Sequence, residues 1–175
     1  MPGQTYGQFL AISALAINAI SLVLLAALFF KRENFSREII NFFGGYAFVF
    51  TFLIALGATV GSLIYSEVLR FPPCPLCWYQ RIFMYPLVII AAVAWWKKQD
   101  ATNYIIPLAS IGGMFSLYHY LLEWGLVSST FCSAQAVSCA QRLVFEFGFV
   151  SLPWMTLSAF AFIILLMVAR KTRGT

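Results

Sequence analysis

The chain has 175 residues, 62% hydrophobic and only 10% charged, against about a quarter charged in an average soluble domain. Its formal charge is +5, but the cations stand in short clusters between long apolar runs. That pattern excludes an ordinary water-soluble domain and a phosphate-binding basic stripe, so no nucleic-acid partner is expected.

Five apolar segments are predicted to be helices that cross a membrane, over residues 9–30, 42–66, 78–96, 104–122 and 152–168. Each holds about 17–25 residues, enough at ~1.5 Å per residue to cross much or all of a ~30 Å hydrocarbon layer. The first is preceded by no Lys or Arg, unlike the basic start of a cleaved leader, and is expected to be a retained helix with its N-terminus outside. Lys31, Arg32 and Arg37 follow it. The second carries Gly57 and Gly61, a GxxxG spacing that predicts a close helix contact. Next comes the loop with Pro72, Pro73 and Pro75, then the third helix with Cys74 and Cys77 at its mouth and Lys97 and Lys98 at its end. The fourth ends near His119, the only histidine. The following loop holds Cys132 and Cys139, and an apolar stretch at 143–147 is expected to lie flat on the membrane surface. Arg170, Lys171 and Arg173 close the fifth.

Charge placement orients the bundle. Eight cations (Lys31, Arg32, Arg37, Lys97, Lys98, Arg170, Lys171, Arg173) share one face, against Arg70, Arg81 and Arg142 on the other. The positive-inside rule makes the eight-cation face cytoplasmic and puts both cysteine pairs outside, where disulfides persist.

Cys74 and Cys77 form a CxxC, a spacing that closes a small disulfide suited to exchange. The prolines discourage helix before Cys77, so the helix is expected to begin between Cys74 and Cys77. Its N-terminal N–H groups would favour a thiolate, expected on Cys77, with Arg81 on the same face. Two pairs at one membrane face suggest a relay between disulfides. Two blander readings stay open: a non-enzymatic small membrane protein stapled by two structural disulfides, and a zinc site. The C-x6-C spacing of the second pair argues against zinc, and no metal is expected.

Three stretches carry a family resemblance. They are Phe-Pro-Pro-Cys-Pro-Leu-Cys-Trp-Tyr-Gln-Arg-Ile-Phe-Met-Tyr-Pro at 71–86, Ser-Leu-Tyr-His-Tyr at 116–120 and Phe-Gly-Phe-Val-Ser-Leu-Pro at 147–153. Together they resemble the DsbB/BdbC membrane oxidoreductases, closest to the BdbC-like branch, over about residues 42–170. The family core has four helices and this chain carries one more. The fold class expected is therefore an all-α integral membrane protein, a four-helix transmembrane bundle with one additional N-terminal helix. Its domains would be residues 1–38, the extra helix and its connector, and 39–175, the redox domain.

The resemblance implies a quinone-dependent protein-dithiol oxidoreductase of a bacterial cell membrane, both cysteine pairs extracytoplasmic. A thioredoxin-fold thiol oxidase (DsbA/BdbD-like) would be the partner, attacking through Cys132 with Cys139 resolving, and Cys74–Cys77 would pass electrons to ubiquinone or menaquinone. An ordinary dithiol near −200 mV faces roughly 3.7 kcal/mol uphill against an oxidant near −120 mV, so the relay needs a strong terminal acceptor. Arg81, costly inside a membrane, is the first candidate for quinone contact, with His119 a second donor and Trp78 a cover for the ring.

Overall fold

The computed structural model describes residues 2–30, 33–127, 139 and 145–173, with side chains from Thr5 onward. Cys132 and most of its loop lie outside the described residues. Six helices and a short hairpin follow in order: α1 (Pro2–Phe29), α2 (Asn34–Gly45), α3 (Ala47–Leu63), α4 (Pro75–Lys97), α5 (Thr102–Glu123), β1 (Phe145–Glu146), β2 (Val150–Ser151) and α6 (Leu152–Arg173). Five of the helices are long and apolar enough to cross a membrane. This is the all-helical membrane fold the sequence predicts.

Helices α3, α4, α5 and α6 close a ring, each packed on the next and α6 back on α3. Phe160, Ile163, Leu166 and Met167 of α6 are fully buried, which makes α6 the central element. Between helices in lipid the driving force is packing and hydrogen bonding rather than exclusion of water, so close fit matters most. Gly112 of α5 supplies it, because a Cβ there would overlap the Phe160 ring. Helices α1 and α2 dock on this ring from outside, both against α6.

The structure departs from the expected elements in three places. The connector after α1 is itself helical: α2 buries Ser36, Ile40 and Gly44, one turn apart, and breaks from α3 at Tyr46. Gly44 lets α2 come so close that an added Cβ would stand 3.0 Å from the Ala169 carbonyl of α6. Helix α3 widens at its end into a π-helical turn, Ile64–Val68, with Leu69 N–H donating to the Ile64 carbonyl at 3.0 Å. The described part of the 143–147 stretch pairs as an antiparallel hairpin, Phe145 opposite Ser151 and Glu146 opposite Val150. Phe147 and Gly148, at φ 53° and 80°, make its turn.

Candidate functional site

Pro75 occupies the first turn of α4, where its missing N–H costs nothing, and Cys74 becomes the N-cap in extended conformation. The Cys77 N–H donates to Cys74 Sγ at 3.3 Å, and the two free sulfurs stand 2.8 Å apart. Thiolate stabilisation therefore falls on Cys74 rather than on Cys77, where the sequence put it. The helix starts early enough for its first free N–H groups to meet the capping sulfur. The Cys77 thiol hydrogen bond, then His119 and the Cys77 N–H, outweigh burial and hold the Cys74 thiol at about 4, well below the ordinary thiol range.

His119 is buried on α5 and completes this side of the pair. Its Nε2 lies 3.2 Å from the Cys139 carbonyl and 3.8 Å from Cys74 Sγ. A carbonyl oxygen only accepts, so Nε2 carries the proton and Nδ1 of the neutral ring accepts from Gln80 Nε2 at 3.2 Å. Thr156 Oγ1 in turn donates to Gln80 Oε1 at 3.2 Å. Cys139 is disulfide-bonded and packs in one buried cluster with Cys74, Leu76 and Leu122. The loop cysteine and the CxxC thus share one end of the molecule. Cys74, Cys77 and His119 also bring three potential metal-ligand atoms within 4.8 Å of one another.

Cys77, which packs on the same cluster, also lines a cavity of about 510 Å³. Three elements wall most of it: Cys77, Gln80, Arg81, Met84 and Tyr85 on α4; nine residues between Leu53 and Tyr65 on α3 and its π-helical end; and Tyr6, Phe9, Leu10, Ser13, Ala14 and Ile17 on α1. Arg81 is 7% exposed and does not snorkel. Its Nε donates to Ser62 Oγ at 2.8 Å and its Nη2 to the Ser62 carbonyl at 2.9 Å, bracing it against α3. The hydroxyls of Tyr65 and Tyr85, both on cavity-lining residues, are buried without a partner among the described residues. The GxxxG of α3 borders this space instead of a helix contact at both glycines: a Cβ on Gly57 would meet nothing within 4 Å, and one on Gly61 would meet the Tyr6 hydroxyl at 3.4 Å.

The sequence-derived residues therefore divide. Arg81 and Cys77 line the cavity, whereas His119 pairs with Cys74, which is not among the lining residues. Trp78 is half exposed and lays its ring 5.2 Å from the Arg81 guanidinium, outside the cavity lining. Sequence reasoning missed Gln80, Ser62 and Tyr65. Gln80 left a usable signal, an amide beside Arg81 at the mouth of an apolar span, where polar groups must find partners. Ser62 and Tyr65 left none.

A helical membrane protein with a reactive CxxC at a helix mouth beside a second cysteine site is the architecture of a thiol–disulfide oxidoreductase. The family model of Disulfide bond formation protein DsbB matches residues 45–170. Over 105 residues, 59% of this chain and 76% of the relative, it is 45% identical to Probable disulfide formation protein C 1 of Bacillus cereus. It is 40% identical over 124 residues, 69% of this chain and 89% of the relative, to Disulfide bond formation protein C of Bacillus subtilis. A protein of Metapseudomonas resinovorans, Probable disulfide formation protein, is 38% identical over 128 residues, 71% of this chain and 89% of the relative. No solved structure matches. The chain belongs to the DsbB family of disulfide bond formation proteins, multi-pass proteins of bacterial membranes.

Proposed function

We propose that this protein reoxidises a thioredoxin-fold thiol oxidase outside the cytoplasm and delivers the electrons to a membrane quinone. The observation that carries the proposal is the two-sided CxxC: Cys74 turns toward His119 and Cys139, while Cys77 turns into the cavity beside Arg81. Electrons enter as the partner's dithiol reduces the Cys132/Cys139 disulfide. That dithiol then reduces Cys74–Cys77, and each exchange forms one disulfide and breaks another. The incoming thiol meets Cys74 on the His119 side, so Cys77 leaves as the thiolate at the cavity. The cavity's residues fit ubiquinone or menaquinone. Its far end is apolar, and its cysteine end offers Arg81 and the unpartnered Tyr65 hydroxyl to a ring carbonyl. A bound quinone supplies acceptance of two electrons and two protons.

The deciding experiment is reoxidation of a reduced thioredoxin-fold oxidase by the purified protein with and without added ubiquinone-1. Catalytic turnover that requires quinone supports the proposal, and a single stoichiometric exchange indifferent to quinone refutes it. Cys139→Ser should accumulate a mixed disulfide between Cys132 and the partner, visible on a non-reducing gel. An adduct forming through Cys139 in Cys132→Ser would reverse the two roles. The cluster of Cys74, Cys77 and His119 favours a second reading, a bound thiophilic metal. Stoichiometric zinc in the purified, reduced protein, with turnover insensitive to quinone, would select it.

A further inference from the structure

We infer that α1, the helix added to the family core, is a ligand-contacting wall of the acceptor site rather than an accessory anchor. This rests on the quinone reading above and assigns a further part of the same site. The family match begins at residue 45, so everything α1 contributes comes from outside it. Its lining residues Tyr6, Phe9, Leu10, Ser13, Ala14 and Ile17 recur at three and four and form one face of the helix. That face is held by packing of α1 on α6 and α2, while across from it α3 and α4 stand back, and the gap is the cavity.

Polarity along the gap is graded. At the cysteine end the Tyr6 ring lies 5.4 Å from the Tyr65 ring, and the buried Tyr65 hydroxyl has no partner among the described residues. The Tyr6 hydroxyl stands 3.4 Å from where a Gly61 Cβ would be, at ordinary contact distance. Eleven residues further, roughly 16 Å along the helix, Ile17 lines the cavity, as do Leu53 and Ile54 of α3, and all three are apolar. A molecule with a polar ring and a long isoprenoid tail matches that gradient. Ring and Arg81 belong at one end, and the tail lies between α1 and α3. Helix α1 then sets which acceptors bind, through the tail as much as the ring.

The test uses the full chain and a short-tailed azido-substituted ubiquinone analogue, with photolabelled peptides mapped by mass spectrometry. Saturable label on residues 6–17 as well as on α3 or α4 is the expected result. Label on α3 and α4 with none on α1 overturns this inference and leaves the quinone reading standing, whereas no saturable label anywhere defeats the quinone reading itself. Ser13→Phe, which narrows the gap from the α1 side, should raise the KM for ubiquinone-2 at least tenfold. It should raise the KM for a tailless dimethoxy-methyl-benzoquinone much less. An equal rise for both, or no rise, refutes a tail-contacting wall. Ser13→Leu serves the same comparison if the larger ring prevents folding.

Discussion

Neutral His119 donates from Nε2 between a carbonyl and a sulfur, and that single proton links the two cysteine sites. Its loss should raise the pH at which Cys74 reacts. In the reduced protein, alkylation by iodoacetamide should follow a midpoint near 4, and His119→Leu should move it upward. A folded-state pKa below the unfolded value near 8.5 stabilises the reduced fold fully above about pH 8.5, and that increment fades as pH falls toward 4. The oxidised protein, with no thiol to titrate there, should lack this slope in thermal melts. Arg81 lines the cavity. Arg81→Met should raise the KM for quinone about tenfold or more, the scale of one charge-assisted hydrogen bond at ~1.5–3 kcal/mol, with partner exchange largely spared. Arg81→Lys should recover part of it, since the charge survives but the planar fork that grips Ser62 does not. Equal quinone kinetics in wild type and Arg81→Met would remove Arg81 from the site.

Among elements, α3 shows where a sequence pattern points to the wrong neighbour. Small residues at Gly57 and Gly61 announce a smooth helix face, but the pattern is the same whether a backbone or a hollow lies opposite. What decides is α1, whose position is set by packing on α6 and α2 far along the chain. Gly57→Leu should therefore fold to within about 1 kcal/mol of wild type in unfolding assays, since its Cβ meets open space and helix propensity improves. Quinone affinity should fall in the same variant. A large loss of stability instead would restore the close-contact interpretation. The α2 helix was hidden for a related reason: its apolar face runs without interruption into α3, and only the Tyr46 break and the close seat of Gly44 on α6 separate them. By contrast the five spans, the proline-set mouth of α4 and the buried Arg81 were all legible, because each rests on local composition or on the high cost of a charge in lipid.

At the scale of the molecule, the cysteines and the C-terminal cations fall at opposite ends. Cys74 and Cys139 share a buried cluster, while Lys97, Arg170 and Arg173 close the helices that lead away from it. Arg170 stays at that far end, 3.6 Å from Asp100 in the short α4–α5 connection. By the positive-inside rule, reduced whole cells should take up an impermeant maleimide at the cysteine end, and cysteines introduced at Gln99 or Thr172 should react only after lysis. Labelling with the reverse pattern would invert the orientation and place the thiol chemistry in the cytoplasm. Sequence alone could not bring the loop of Cys139 onto α5, because that contact joins residues twenty apart through a histidine whose partner choice depends on Gln80 of a third helix.

At the first turn of α4 the two sulfurs stand 2.8 Å apart, Cys74 beside His119 and Cys77 on the cavity, and in the proposed relay they would act like two resistors in series. In the proposed relay, a thiol at the His119 side and an electrophile in the cavity would exchange electrons through the Cys74–Cys77 pair. Quinones add readily to free thiols, so an open pocket shared by both would foul itself with dead-end adducts. Among the described cysteines only Cys77 borders the cavity, and only while the pair is reduced does it offer a thiol there. In the proposed relay the pair would carry the current through one bond and leave side reactions one sulfur on the cavity to attack.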